Sequence, residues 1–218
     1  MSARAESGPL ALEQPWLFEK LYAFNYCPAP YTHPTRRPSQ AAPQCETLWR
    51  HPRAQVALSD MILRALDLHD RPCMEPSRAV LPLALLDAAR MPDFALTVGA
   101  VAQSARLRRS IARDEVLAWR QQLTPRAYEF AMHGTSLLAL HDLLPSDPED
   151  APSLQVGYDW IAASLEDEPA ELRLRALLKL PADARRGQAQ PAAAIPLVNR
   201  ILCALEPRWC SSFVTARH

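Results

Sequence analysis

Apolar residues recur at spacings of three and four along most of the chain, and this period predicts α-helices rather than strands. No sustained alternation of apolar and polar positions rich in Val, Ile and Thr interrupts the pattern, so strands are not expected to dominate. The sequence therefore predicts an all-α protein of about eight helices. The eight apolar runs cover residues 52–66, 80–90, 92–105, 114–119, 124–141, 154–165, 169–178 and 195–205.

Prolines mark the ends of these runs. The chain has 21 prolines and only 5 glycines, and most of the prolines fall between apolar runs, where proline starts or stops a helix. The pair Thr124–Pro125 predicts an N-cap followed by a first-turn proline. Pro82 lies near the start of the run 80–90, which suits a first turn better than an interior position.

The runs follow one another closely enough to predict a single compact multi-helix domain over residues 17–218, which includes an aromatic and Pro-rich N-terminal arm. Residues 1–16 are expected to form a flexible extension. Polar stretches at 34–46 and 181–194 are also expected to be flexible, and the acidic loop at 145–153 is the candidate division into subdomains.

Charge and cysteine content narrow the function classes. Lys plus Arg and Asp plus Glu number 24 each, and a chain without a basic excess is a poor candidate for wrapping nucleic acid or coating an anionic membrane. Five widely spaced cysteines fit reduced thiols rather than a disulfide scaffold. No apolar run approaches the ~20 residues of a membrane span, so we expect a cytoplasmic, soluble protein.

A metal or thiol site is the enzymatic alternative. The first third of the chain holds all of the candidate metal ligands, yet only His69 and Cys73 have the spacing of a zinc-ligand pair and no second pair accompanies them. Cys27 has His33 nearby, but Pro28 follows it directly and nothing predicts a lowered thiol pKa. The candidate ligands are Cys27, His33, Cys45, His51, His69 and Cys73.

The other polar clusters have ordinary interpretations. The acids 166–168 are expected to be solvated surface rather than a general acid and base pair. His141 lies on the apolar stripe of the run 124–141 and is expected to be a hydrogen-bonded core histidine, whereas His133 lies off the stripe and is expected to be exposed. No phosphate-binding glycine loop occurs. No cofactor is predicted.

Three arginines are the candidate docking surface. Arg106, Arg109 and Arg113 are three and four positions apart, so on one continuous helix they would share a face. The simplest interpretation is a solvated helix face. The functional one is a surface that docks an acidic protein partner, while nucleic acid is disfavoured because no aromatic residues for base stacking are interleaved with the arginines.

The segment 24–33 concentrates aromatic residues, a thiol, prolines and an imidazole. One interpretation is an arm whose aromatic side chains pack on the helical core, with Pro28 and Pro30 holding the backbone extended. The other is direct contact with a partner. The candidate partner-binding residues of this segment are Phe24, Asn25, Tyr26, Cys27, Pro28, Tyr31 and His33.

This segment resembles a known family. Residues 22–33 read Tyr-Ala-Phe-Asn-Tyr-Cys-Pro-Ala-Pro-Tyr-Thr-His and look like the corresponding part of type III secretion proteins of the SctK/YscK/PscK type. Supporting stretches lie at 81–87, 98–111 and 127–131. The resemblance covers residues 17–140 well and is carried beyond 145 by helical pattern and size.

The resemblance implies an all-helical, non-enzymatic protein without a cofactor. It would be a cytoplasmic adaptor in the sorting platform of the injectisome, at the cytoplasmic face of the inner-membrane apparatus that serves virulence. Its implied partners are the cytoplasmic forkhead-associated domain of the inner-membrane ring protein (SctD type) and the pod protein (SctQ type), with the stator and ATPase as indirect partners. A cytosolic helical enzyme that depends on a thiol or a metal is the alternative.

Overall fold

The computed structural model describes residues 15–37, 45–75, 77–145, 150–184 and 191–214, and every regular element in this part of the chain is helical. The all-α prediction is confirmed. Of the segments expected to be flexible, residues 1–14, 38–44 and 185–190 lie outside the described residues. The α-helices are α1 Pro15–Tyr26, α2 Cys45–Arg50, α3 Pro52–Ala65, α4 Leu81–Ala84, α5 Met91–Ala102, α6 Ser104–Arg109, α7 Arg113–Gln122, α8 Pro125–Glu129, α9 Thr135–Leu137, α10 Ser153–Ser164, α11 Ala170–Leu177, α12 Pro191–Leu205 and α13 Pro207–Val214.

The chain divides into two compact units. Among the described residues, the first unit comprises those within 15–85, 168–182 and 212–214, and the second comprises those within 86–167 and 183–211. The acidic loop at 145–153, the candidate division in the sequence, lies within the second unit, and its residues 146–149 lie outside the described part. The first crossing between units follows α4, where the chain leaves the helix.

The first unit is built around α1 and α3. Leu17, Leu21 and Phe24 are buried on α1 at spacings of four and three, as an amphipathic helix requires. A cluster of buried side chains joins α3 to the turn Ala29–Tyr31, to α2 and to the end of α11. Its members are Ala29, Trp49, Ile62 and Leu178.

The second unit is built around the pair α5 and α10, which approach backbone to backbone. A Cβ atom on Gly99 would lie 1.7 Å from the carbonyl oxygen of Ser153, and one on Gly157 would lie 1.7 Å from that of Ala95. Only glycine permits such an approach. A buried amide holds the junction, because Gln103 Nε2 donates to the Ala151 carbonyl at 2.7 Å and Gln103 Oε1 accepts from the Ser153 hydroxyl at 2.6 Å.

Proline starts several helices, as predicted. Pro52, Pro92 and Pro125 each occupy a first-turn position. The Thr124 cap is confirmed, since its hydroxyl accepts a hydrogen bond from the Ala127 amide at 3.2 Å. Pro82 is also in a first turn, but the prediction of one helix over 80–90 is wrong: the chain forms the single turn α4, extends at Asp87 and then forms the 3₁₀ turn Ala88–Arg90.

The run 124–141 is helical only in part. A π-helical segment, Phe130–Gly134, separates α8 from α9. Its wider turn shifts the later side chains off the predicted stripe, so that Leu137 is 82% exposed. The helix ends with Ala139 in the left-handed conformation (φ 49°) and with the Leu140 amide bonded to the Thr135 carbonyl.

His141 lies beyond this helix end, at the start of the 3₁₀ turn His141–Leu143, and is exposed. The prediction of a core histidine is therefore wrong, because it assumed an unbroken helix of constant period. His133 is exposed as predicted.

The N-terminal aromatic segment is not extended. Phe24 to Tyr26 form the last turn of α1, and Ala29–Tyr31 and Pro34–Arg36 are 3₁₀ turns. Each of these turns carries a proline at one of its first two positions, where the missing amide proton costs nothing. The prolines of this segment thus start short helices.

Candidate functional site

One side of the aromatic segment faces the interior of the first unit. Asn25 is fully buried at the last turn of α1. Its Nδ2 donates to the carbonyls of Leu21 and Cys73, both at 2.9 Å, and its Oδ1 accepts from the Cys73 amide at 2.7 Å. The side chain thus pairs with the backbone of a segment 48 positions away, which is a structural role.

The ammonium group of a buried lysine lies close to two stacked aromatic rings, those of Phe24 and Tyr31. Lys179 Nζ is 5.5 Å from the ring centroid of Phe24 and 5.2 Å from that of Tyr31, and it donates to the Ala84 carbonyl. The Tyr31 hydroxyl donates to the Phe24 carbonyl at 2.6 Å. Burial raises the pKa of the Tyr31 hydroxyl well above its ordinary value, which keeps this donor protonated.

A buried arginine donates hydrogen bonds to several main-chain carbonyls next to the aromatic segment. Arg175 is fully buried, and its guanidinium donates to the carbonyls of Leu68 and Arg71 at 2.8 Å and to that of Asn25 at 3.3 Å. A guanidinium stays charged in a folded protein, although burial lowers the pKa of Arg175. The five donors in a fixed plane suit it to join two distant backbone segments, one at Asn25 and one at Leu68 to Arg71, to α11.

The other side of α1 faces outward and carries a row of aromatic side chains. Phe18, Tyr22 and Tyr26 are four positions apart, with ring centroids 6.5 Å and 5.1 Å from one to the next. Tyr22 is 52% and Tyr26 is 39% exposed. We call these three residues the aromatic ladder. Tyrosine is enriched at protein interfaces because it buries a large ring and keeps a polar tip, so the ladder has the chemistry of a contact surface.

The seven candidate residues of the aromatic segment therefore separate by burial. Phe24, Asn25 and Pro28 are buried, Tyr26 is exposed, and Cys27, Tyr31 and His33 are half-buried. His33 Nδ1 accepts a hydrogen bond from the Thr35 amide at 3.3 Å. Among the seven, Tyr26 offers the most free surface to a partner.

Two of the three candidate arginines line a groove of the second unit. The groove measures about 550 Å³ and lies between α6, α7 and residues 150–152. Arg106 pairs with Asp150 and lies with its guanidinium 5.9 Å from the centroid of the Trp119 ring. The Trp119 indole donates to the Ser110 hydroxyl at 3.1 Å, which fixes the ring as one wall. We call this surface the arginine groove.

The premise of one continuous helix beneath the arginines is wrong. α6 ends at Arg109, Ser110 has an extended ψ of 108°, and α7 begins at Arg113. Arg106 and Arg109 line the groove, and Arg113 is not among its lining residues. The neighbouring Arg108 points elsewhere and donates to the hydroxyls of Thr135 and Ser104.

The residues proposed for metal or thiol chemistry are dispersed. Within the described residues no group of three His, Cys, Asp or Glu side chains is arranged to hold a metal ion. His69 Nδ1 lies 3.0 Å from Asp60, and Cys73 is buried, which raises its thiol pKa. The side chain of Cys45 lies outside the described part.

The acid at 168 is not the solvated side chain that the sequence predicts. The Glu168 side chain is only 13% exposed and accepts from Arg78 at 3.1 Å. It is held in an ion pair of the first unit, which is a structural role.

Sequence reasoning missed several residues that these surfaces depend on. Phe18 and Tyr22 repeat at the i, i+4 spacing that leads to Tyr26, so the ladder had a readable signal. Lys179 is one of only two lysines in the chain, which was a weaker signal. No sequence signal identified Arg175, because nothing in the sequence distinguishes a buried arginine from the many exposed ones.

Comparison with known proteins assigns a family. The family model described as YOP proteins translocation protein K (YscK) matches residues 20–205, which is most of the chain. No curated protein and no solved structure matches significantly. Within the described residues, no helix has both the length and the apolar character that a bilayer span requires.

Proposed function

Because this chain belongs to the YscK family of type III secretion proteins, we propose that it is a non-enzymatic adaptor of the sorting platform at the cytoplasmic face of the apparatus. It links the cytoplasmic domain of the SctD-type ring protein to the SctQ-type pod protein. The observation that carries this proposal is the family match over residues 20–205, since the family is a component of the secretion apparatus.

An adaptor needs two separate contact surfaces, and each unit of this chain offers one. The aromatic ladder is on the first unit and the arginine groove is on the second. They differ in chemistry, one being aromatic and the other cationic, which suits two different partners. A stable interface buries about 800 Å² per partner, so neighbouring exposed side chains must join each surface.

The buried half of the aromatic segment supports the ladder rather than touching a partner. Asn25 and Arg175 both bond to the backbone around the end of α1, which fixes the helix that carries Tyr22 and Tyr26. A rigid helix lowers the entropy cost of binding, because fewer side chains must be ordered when the partner docks.

The test is titration calorimetry of the full chain against the SctD-type domain and the SctQ-type protein, separately and together. We expect saturable binding with a negative heat-capacity change, the mark of buried apolar surface. Absence of binding in all three titrations would overturn the adaptor function. Metal analysis and thiol reactivity of Cys27 would then test the enzymatic alternative.

Replacing Tyr22 and Tyr26 together by Ser should weaken one of the two complexes about tenfold or more, as loss of interface tyrosines does. The matched control replaces Val56 and Met61, two exposed apolar residues of α3, by Ser. Affinity equal to wild type for both partners would remove the ladder from the interface and leave the adaptor function standing.

A further inference from the structure

The arginine groove holds a positive charge whose present partner is easily replaced. Arg106 pairs with Asp150, and the two side chains are 43% and 87% exposed. Exposed ion pairs contribute little to stability because water screens both charges. A second carboxylate could therefore displace Asp150 from Arg106 without disturbing the fold.

A further arginine of the groove, Arg109, has no side-chain partner among the described residues. Within the described part of the chain, no ion pair and no hydrogen bond of the Arg109 side chain is found, and the same holds for Arg113 just beyond it. Between these two arginines Ile111 is 91% exposed, and Leu117 on α7 is 44% exposed. This surface combines guanidinium groups that lack a partner among the described residues with exposed apolar side chains. It is therefore complementary to a protein segment that carries both carboxylates and apolar residues.

We propose that the arginine groove docks an acidic segment of a partner protein, whose carboxylates pair with Arg109 and take the place of Asp150 on Arg106. The inference rests on the proposed adaptor function for the class of partner. Asp150 then acts as a competitor within the chain, which occupies Arg106 until the partner arrives. Trp119 contributes a flat wall that holds the Arg106 guanidinium in place.

A protein segment fits this groove better than nucleic acid does. The groove holds two acids, Glu115 and Asp150, beside its two arginines, so it lacks the basic excess from which proteins that bind the phosphate backbone gain most of their affinity. Trp119 is the one aromatic residue among the lining residues that the structure describes, and its face is already covered by Arg106. Stacking of successive bases needs several free rings.

The first experiment uses fluorescein-labelled hexaglutamate as the probe and measures its anisotropy with the full chain at low and moderate salt. Replacing Arg106 and Arg109 by Glu should weaken binding about tenfold or more, since two like charges then face the peptide. Asp150→Asn should strengthen binding about threefold by removing the competitor. Circular dichroism checks that each variant keeps its helicity.

The matched control replaces Arg53 and Arg208 by Glu, which gives the same change of net charge at two exposed arginines outside the groove. Equal affinity of wild type and of the Arg106 and Arg109 variant would overturn the proposal, as would equal weakening by the control. A labelled ten-residue oligothymidine that binds more tightly than hexaglutamate, and through the same two arginines, would overturn it in favour of nucleic acid.

The same variants in the calorimetric titrations separate this inference from the adaptor function. Hexaglutamate binding that depends on Arg106 and Arg109, without binding of either secretion partner, supports the groove and contradicts the adaptor. Partner binding that the Arg106 and Arg109 variant leaves unchanged supports the adaptor and overturns the groove. Weakening of one partner complex by this variant, with the control unchanged, supports both.

Discussion

Asn25 and Arg175 show how single polar side chains join distant segments of the first unit. Asn25 completes three hydrogen bonds with the backbone of Leu21 and Cys73, and Arg175 donates to carbonyls as far away in sequence as Asn25 itself. Both side chains are fully buried. A buried polar group without a hydrogen-bond partner lowers the stability of the folded state. Removing either side chain would therefore also leave the backbone groups that it bonds without a partner.

Asn25→Ala should lower the free energy of unfolding by about 3 kcal/mol, because it leaves the amide and the carbonyl of Cys73 buried without these partners. Urea unfolding followed by circular dichroism measures the loss. Asn199→Ala is the matched control, since Asn199 on α12 is half-buried and no side-chain hydrogen bond of it is found among the described residues. A loss below about 1 kcal/mol at Asn25 would contradict the structural role.

In the aromatic segment, the sequence indicated which residues matter but not which of them are buried. The concentration of aromatic residues, prolines, a thiol and an imidazole at 24–33 identified this segment as structurally or functionally important. It did not say which side chains face inward, because helix α1 turns Phe24 and Asn25 toward the interior and Tyr22 and Tyr26 away from it. Only the position of α1 against the rest of the unit decides this.

At the scale of elements, the pair α5 and α10 carries the second unit. Gly99 and Gly157 let the two backbones touch, and the contact extends from α10 to α12. The arginine groove depends on the same pair, since residues 150–152 lead directly into α10 and Gln103 bonds to Ala151. Helix packing and the candidate surface are thus linked.

Gly99→Ala should destabilise the protein by about 3 kcal/mol, although alanine is by itself the better helix former, because its Cβ would meet the rigid backbone of Ser153. Gly134→Ala is the graded control, since the atoms nearest to its Cβ belong to the movable ring of Phe130, at 2.9 Å. Thermal unfolding compares the two. A Gly99→Ala protein as stable as wild type would contradict the close approach of α5 and α10.

Element prediction succeeded where the signal was local. Six of the eight apolar runs correspond to one α-helix or nearly so, and the Thr124 cap and the first-turn prolines are in their predicted places. The runs 80–90 and 124–141 failed, because the break at Asp87 and the π turn at Phe130–Gly134 have no signature in the apolar period. His141 was misplaced for this reason.

At the scale of the whole molecule, both units bury ionisable groups that must stay protonated. Burial raises the thiol pKa of Cys73 and of Cys210 above the ordinary 9.0 and the hydroxyl pKa of Tyr31 above the ordinary 10.0. The folded form therefore holds these protons to a higher pH than the unfolded form does. Burying these groups in their protonated form stabilises the folded state. This contribution to the free energy of unfolding is fully present below pH 9 and is lost as the pH rises further.

The urea midpoint should be constant between pH 7 and 8.5 and should fall steadily between pH 9 and 10.5. Tyr31→Phe should lessen the fall above pH 10, whereas Tyr22→Phe, at an exposed position, should leave it unchanged. A midpoint that does not change with pH up to 10.5 would contradict the buried, protonated state of these groups.

The amino-acid sequence by itself determined the helical class, most helix positions and the family resemblance that the match over residues 20–205 confirms. These depend on apolar period, capping and short motifs, which act between residues a few positions apart. The tertiary structure alone decided that Arg175 and Lys179 are buried, that Tyr22 and Tyr26 face outward, and that Arg106 and Arg109 meet Trp119 in one groove. Burial depends on which distant segments come together, and Arg175 reaches across 150 positions to Asn25. No pattern among neighbouring residues predicts a contact between segments so far apart in the sequence.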